Sequence, residues 1–316
     1  MAVWQSIQSV GIIVLIIALG YVLRRRGALA DSFSGNVSLL ITKIALPASI
    51  FISVLHYLKR DELGSLGIGL ICPFIAVGIS YAVGFILVRV LGIPVGRRGI
   101  FINGIVNANT IFIGLPLNLA LFGDASMTYF LIYYVVNTVS TWTLGAFLIA
   151  NDSPNGTGKT PSLKTTLQKV FPPPLLGFIA GVLYLLSGWP LPDVFGKTLT
   201  YVGGMVTPLS LIFIGIVLSD AGLGSIRFDR DTIITLLGRF VLSPLVLAGL
   251  LLFTQFDVTL KQVLIMQAAT PMLAVLPVLA RQAGGDVRFA TNIVTTSTVL
   301  FAGVAPIVMG LLRYIA

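Results

Sequence analysis

Four prolines constrain this chain more than any other feature. Pro47 and Pro116 lie 69 residues apart, and Pro208 and Pro277 repeat that spacing. All four fall in long apolar segments. There a proline removes a backbone hydrogen bond, which is tolerable only where the freed groups meet protein or a water-lined cavity. Shifting the chain by 161 residues lays Leu46-Pro47-Ala48-Ser49 near Thr207-Pro208-Leu209-Ser210, and Gly114-Leu115-Pro116-Leu117 on Val275-Leu276-Pro277-Val278. Paired, proline-interrupted apolar segments in two halves of a chain point to a binding site at the bilayer midplane, the arrangement of a secondary transporter.

Composition fixes the class. Of 316 residues, 56% are hydrophobic and 10% charged, against the quarter or so expected of a soluble domain. Charge-poor windows predict ten spans, approximately 3–23, 36–55, 63–88, 99–122, 125–150, 172–189, 198–219, 232–254, 263–279 and 289–312. The first is read as a retained helix, because Arg24, Arg25 and Arg26 follow it and no small-residue cleavage site does. Alternate loops divide the Lys and Arg residues thirteen to five. That bias predicts both termini outside and the central loop in the cytoplasm. The net charge of +9 is thus a topology signal rather than a nucleic-acid footprint. An odd number of spans per half makes the halves inverted, so the expected organisation is a five-helix repeat over 1–150, a cytoplasmic linker over 151–170 and a second, inverted five-helix repeat over 171–316. Within the linker, Gly156-Thr157-Gly158-Lys159-Thr160 imitates part of a phosphate-binding loop, but no strand precedes it.

Chemistry is expected where helices break. The fourth span carries Asn103, Asn107, Asn109 and Thr110 before Pro116, and the ninth carries Gln267, Thr270, Pro271 and Met272 before Pro277. Amides at such depth either bind a ligand or hold helices together, and the residues leave both readings open. Unwound backbone would offer N–H groups at a half-helix start, which suits an anion. Lys43 and Arg239 fall inside spans near their cytoplasmic ends, where they either serve a ligand or extend to the interface. Every one of the eleven carboxylates falls in or beside a loop, an argument against sodium coupling, and Asp124 and Asp286 remain as proton-carrier candidates. No catalytic or metal-ligating constellation is evident around the single His56 or Cys72, so neither an enzyme nor a cofactor is expected.

The stretch Asn109-Thr110-Ile111-Phe112-Ile113-Gly114-Leu115-Pro116-Leu117 resembles the fourth-helix motif of the auxin efflux carrier superfamily. The run from Ala268 to Val278, with Ala280-Arg281-Gln282 and Thr295-Thr296, resembles its ninth helix. The likeness spans essentially the whole chain, and the short linker is the pattern of the bacterial branch, which includes permeases for malate and related organic acids. The resemblance implies an all-helical fold of ten transmembrane helices in two inverted repeats. Helices four and nine cross at their prolines, a scaffold forms from helices 1, 2, 6 and 7, and the remainder moves as an elevator in a homodimer. It implies a small organic acid anion as substrate, in a bacterial inner membrane among lipids. Carried across by position, the site comprises Asn107, Asn109, Thr110 and Pro116, with Pro271, Met272 and Pro277 opposite. Pro47, Ser49, Ile50 and Ser53 would face them from the scaffold. Met272 stands where the plant PIN-type carriers have a Gln, which detaches auxin specificity from the likeness. An anion channel, a membrane sensor and a bile-acid-type sodium symporter are the competing classes.

Overall fold

The computed structural model describes residues 2–60, 63–153, 162–163, 170–222, 224 and 226–315. Among these residues the fold is all helical, and the β pairing is one isolated antiparallel bridge. The stretch resembling a phosphate loop and most of the expected linker lie outside the described residues.

In chain order the helices are α1 (Ala2–Arg25), α2 (Phe33–Tyr57), α3 (Leu63–Gly69), α4 (Ile71–Val90), α5 (Arg98–Val106), α6 (Leu115–Phe122), α7 (Asp124–Asn151), α8 (Pro173–Ser187), α9 (Asp193–Gly204), α10 (Val206–Ala221), α11 (Arg230–Leu251), α12 (Val258–Ala268), α13 (Leu276–Ala283) and α14 (Val287–Leu312). Among the described residues six segments are long and apolar enough to cross a membrane: α2, Gly67–Val90, α7, Asp193–Asp220, α11 and α14. The chain is a polytopic membrane protein, since helices of that length and hydropathy satisfy their own backbone in lipid and expose apolar side chains to it.

The prolines act differently from the expectation that they mark the breaks. Two of them, Pro47 and Pro116, each follow a π turn, at Ile41–Ala45 and Thr110–Gly114, and Pro244, outside the repeat, follows another at Gly238–Leu242. A proline ring clashes with the carbonyl four residues earlier, and in each case that carbonyl, of Lys43, Phe112 or Phe240, sits inside the widened turn. Helix α2 therefore runs through Pro47 without interruption. Pro116 and Pro277 stand in the first turns of α6 and α13, where a missing N–H leaves nothing unsatisfied. The true interruptions lie upstream of them, at 107–109 and 269–275.

The chain packs as two compact units, each drawn from both halves of the sequence: 1–69, 111–132 and 171–220 in the first, and 70–110, 133–170 and 221–316 in the second. Glycine sets the helix contacts of the first unit. Gly20 of α1 lies on the backbone of Ile212 in α10, and Gly215 of α10 on that of Ile17 and Tyr21 in α1. One turn apart on α8, Gly177 and Gly181 face α2, where an added Cβ would come within 2.6 Å of the Pro47 carbonyl oxygen and 3.1 Å of Val54 Cβ. Close backbone approach is how helices associate where lipid removes the hydrophobic drive between them. Arg24, ending α1, donates to Asp31 and Asp220, each at 2.6 Å. The core of the second unit is built on Ile100, Phe101 and Ile105 of α5, packed with Leu276, Ala290 and Ile293.

Gly215→Ala forces a methyl into backbone and is expected to cost about 1–3 kcal/mol, as overpacking does. Gly249→Ala, whose Cβ meets nothing within 4 Å, leaves stability unchanged. Thermal unfolding of the two purified variants in detergent checks the pair, and equal melting temperatures would refute the glycine contact.

Candidate functional site: two interrupted helices

Helix α5 ends at Val106, and Asn107 adopts an extended backbone with φ −96° and ψ 126°. Helix α12 ends at Ala268, because Thr270 precedes a proline and a residue in that position is pushed out of helical geometry. The two freed segments then pair with each other. The Asn109 N–H donates to the Pro271 carbonyl at 2.8 Å and the Leu273 N–H to the Asn107 carbonyl at 3.1 Å, framing the antiparallel bridge between Ala108 and Met272.

That pairing leaves the outward backbone groups of Ala108 to be satisfied. Asn137 of α7 does both jobs, accepting from the Ala108 N–H at 2.8 Å and donating its amide N–H to the Ala108 carbonyl at 3.0 Å. A side-chain amide thus stands in for the next strand. On the other segment the Met272 N–H donates to Ser297 Oγ at 3.2 Å.

Carbonyls at the ends of α5 and α12 converge on one cation. Arg239, wholly buried on α11, donates to the carbonyls of Ile105 at 3.1 Å, Val106 at 2.7 Å and Ala268. Ser243, one turn on, donates to the Ile105 carbonyl at 2.8 Å. A cation is favoured at a helix C-terminus, and here one guanidinium serves two of them.

Asn107 is engaged with protein through its whole side chain. Its Nδ2 donates to Asn103 Oδ1 at 2.6 Å and Tyr81 Oη at 3.1 Å, and its Oδ1 accepts from Ser140 Oγ at 2.7 Å. Asn103 in turn donates to the carbonyls of Gly99 and Gly145. Of the two readings the sequence leaves open, interhelical bonding describes the geometry of Asn103 and Asn107. Asn109 and Thr110 lie immediately past the bridge, both buried. Met272 is buried, its sulfur packed toward Gly104.

Beyond the bridge the second segment opens. Leu273, Ala274 and Val275 are partly exposed, and the N–H groups of Ala274 and Val275, just ahead of α13, find no acceptor among the described residues. Two free donors at the positive end of a helix form an anion-binding arrangement.

The second unit therefore brings together Asn107, Asn109, Thr110, Pro271, Met272 and Arg239, with Pro277 at the head of α13. Lys43, Pro47, Ser49, Ile50, Ser53, Pro116 and Asp124 belong to the first unit. There Pro47 packs on Gly177 and Ser49 on Gly203, Ile50 and Ser53 are buried, and Lys43 and Asp124 are exposed. Asp286 caps α14 by accepting from the Phe289 N–H at 2.9 Å and pairs with Arg97 at 2.7 Å. Burial alone would raise its pKa, but the Phe289 N–H and the Arg97 guanidinium outweigh that and hold it below the usual carboxylate range. Among the described residues no cluster of three or more His, Cys, Asp or Glu could hold a metal ion.

A model of the family described as membrane transport protein matches residues 5–309. The chain belongs to this family. It is similar to an uncharacterized transporter of Methanothermobacter thermautotrophicus, 26% identical over 298 residues that cover 93% of this chain and 94% of that one. It is also similar to the uncharacterized transporter MJ1031 of Methanocaldococcus jannaschii, 24% identical over 300 residues, 91% and 92% of the respective chains. The family places the protein in a membrane and makes transport its activity.

Sequence reasoning passed over Asn137, Ser140, Tyr81, Ser243 and Ser297, which hold the site from behind. Their shared signal is a polar group inside an apolar run, the same rule that singled out Asn107 and Asn109. Asn137→Ala strands a buried N–H and a buried carbonyl at about 1–3 kcal/mol each, so its melting temperature should fall well below that of the wild type. An unchanged value would remove Asn137 from the bridge. For Asp286, whose folded-state pKa is depressed, the stabilisation is present above its unfolded pKa and lost as pH falls through the folded value. Asp286→Asn should melt below the wild type at pH 7, with the gap closing in the acid range beneath the ordinary carboxylate pKa of 3.8. A gap that persists there would mean the pairing with Arg97 contributes nothing.

Proposed function

We propose that this protein is a secondary carrier for a small organic acid anion, with malate or a related dicarboxylate as the first substrate to test. One observation carries the reading: the paired breaks leave the Ala274 and Val275 N–H groups undonated at the start of α13, within the same paired segment that holds Asn109 and Thr110 on the other side of the Ala108–Met272 bridge. A carboxylate accepts from backbone N–H and side-chain amide donors, and a partly enclosed apolar wall strengthens each such bond. Pro271 and Met272 form the opposite side of the bridge, and Asn107 and Arg239 hold its shape rather than contact the ligand.

Ten spans in two inverted repeats, with both termini outside a cytoplasmic membrane, follow from the proline repeat and the Lys and Arg asymmetry. Elevator-type alternating access is supported by the composition of the two units, since each takes segments from both halves. The first unit contains the helices assigned to a scaffold, α1, α2, α8, α9 and α10, and the second contains the bridge. Dimer assembly follows the same family likeness.

Binding is tested by thermal shift with malate. A ligand at about 100 times its Kd adds about 2.7 kcal/mol to the native state, so the wild type should melt higher with malate present. Two variants should lose that response while remaining folded. Asn109→Ala deletes the side-chain donor, and Ala274→Pro deletes one backbone N–H at the second position of the Leu273–Leu276 turn, where proline is favoured. Saturable malate counterflow in proteoliposomes completes the test. Wild-type malate binding by both variants would place the site elsewhere, and unsaturable flux would favour a channel.

A further inference from the structure

We propose that Arg239 is a built-in cation standing where crossed half-helices would otherwise recruit a coupling cation from solution, so that the anion site assembles without sodium. The inference rests on the reading of the paired breaks as the substrate site. In carriers with interrupted helices, unwound carbonyls and half-helix C-terminal ends are the groups that coordinate sodium or a proton. Here those ends are α5 and α12, and their carbonyls at Ile105, Val106 and Ala268 all accept from the Arg239 guanidinium. A sodium ion would need the same oxygens.

Charge arithmetic agrees with this assignment. Each helix C-terminus carries roughly half a negative elementary charge, so two of them balance about one positive charge. Arg239 supplies it, and no carboxylate lies within α5 or α12 to add to the demand. The cation cannot leave, because its side chain is 0% exposed. Its helix is pinned alongside, too: a Cβ on neighbouring Gly238 would stand 2.5 Å from Ile105 Cγ1. Arginine in place of an ion trades a dissociable ligand for a permanent one, which removes the link between site geometry and the sodium gradient. The carboxylates of the same unit that could otherwise coordinate an ion are occupied as helix caps: Asp229 on α11, Asp257 on α12 and Asp286 on α14.

The test compares unfolding of the purified full-length protein in sodium chloride and in choline chloride at equal ionic strength, for wild type and Arg239→Ala. The wild type should melt at the same temperature in both salts. Arg239→Ala should melt lower in choline. It should recover part of the loss on adding guanidinium at ~20 mM, far below the molar range that denatures proteins. A wild type markedly stabilised by sodium overturns the proposal, because an ion site then exists beside the arginine. So does an Arg239→Ala variant that melts like the wild type, or one whose loss neither guanidinium nor sodium restores. If Arg239→Ala does not fold, the wild-type comparison decides alone. Malate shifts measured on the same wild-type samples keep the two readings apart: failure to respond to malate counts against the substrate site, and a sodium response counts against the built-in cation.

Discussion

The structure depends on two interrupted helices satisfying each other. A helix that stops inside an apolar environment strands carbonyls on one side of the break and N–H groups on the other, each costing several kcal/mol if left without a partner in lipid. Pairing Asn107–Asn109 with Pro271–Leu273 turns two such liabilities into one short antiparallel ladder. Neither break is stable without the other. That mutual dependence explains why the proline repeat, which signals one interruption per half, also signals a single shared site.

The rest of the second unit is arranged around what the ladder leaves unsatisfied. Asn137 presents an amide in the geometry of a third strand, Ser297 receives the Met272 N–H, and Arg239 with Ser243 absorbs the carbonyls of the helix ends. A buried guanidinium is costly unless its N–H groups find acceptors and its charge a counterpart; the two helix ends supply the counterpart and accept from both terminal nitrogens, while Nε has no acceptor among the described residues. At the head of α13 the accounting stops short. Two N–H groups remain there, in the part of the segment that is not sealed. Two open N–H groups at a helix N-terminus are the observation on which the proposed anion site rests.

How much of this the sequence discloses depends on the range of the interaction involved. Apolar windows located the helices, because hydropathy over twenty residues is a sum that single residues hardly perturb. Pro271 accounts for the second interruption through its effect on Thr270, a purely local restriction. Pro116 and Pro277 misdirected the break by several residues, since a proline in a first turn and a proline after a wide π turn are both compatible with helix. Asn107 was legible as costly, with the ligand and the helix-holding readings both open, because its partners Tyr81 and Ser140 come from segments 26 and 33 residues away. Arg239 illustrates the same limit: the acceptors that give it a role are more than a hundred residues distant at Ile105 and Val106. The division of the chain into two units was likewise invisible to a reading by halves, since each unit is woven from both.

Charge in the second unit follows one rule that unites these observations. Asp229, Asp257 and Asp286 stand at helix starts, each accepting a backbone N–H of the first turn, and the buried Arg239 stands at helix ends; the buried Lys261, in the first turn of α12, is the exception. Apart from it, each placement opposes the helix dipole, so ionised groups contribute stability where they would otherwise be expensive. Arg97 extends the rule by bridging Asp286 to Asp231, fixing the start of α14 against that of α11. With Asp229, Asp257 and Asp286 committed to helix starts and the terminal guanidinium nitrogens to helix ends, the pair of N–H donors before α13 stays open near the ladder. An anion is the species that fits there, and it meets no competing carboxylate from this unit's capping residues.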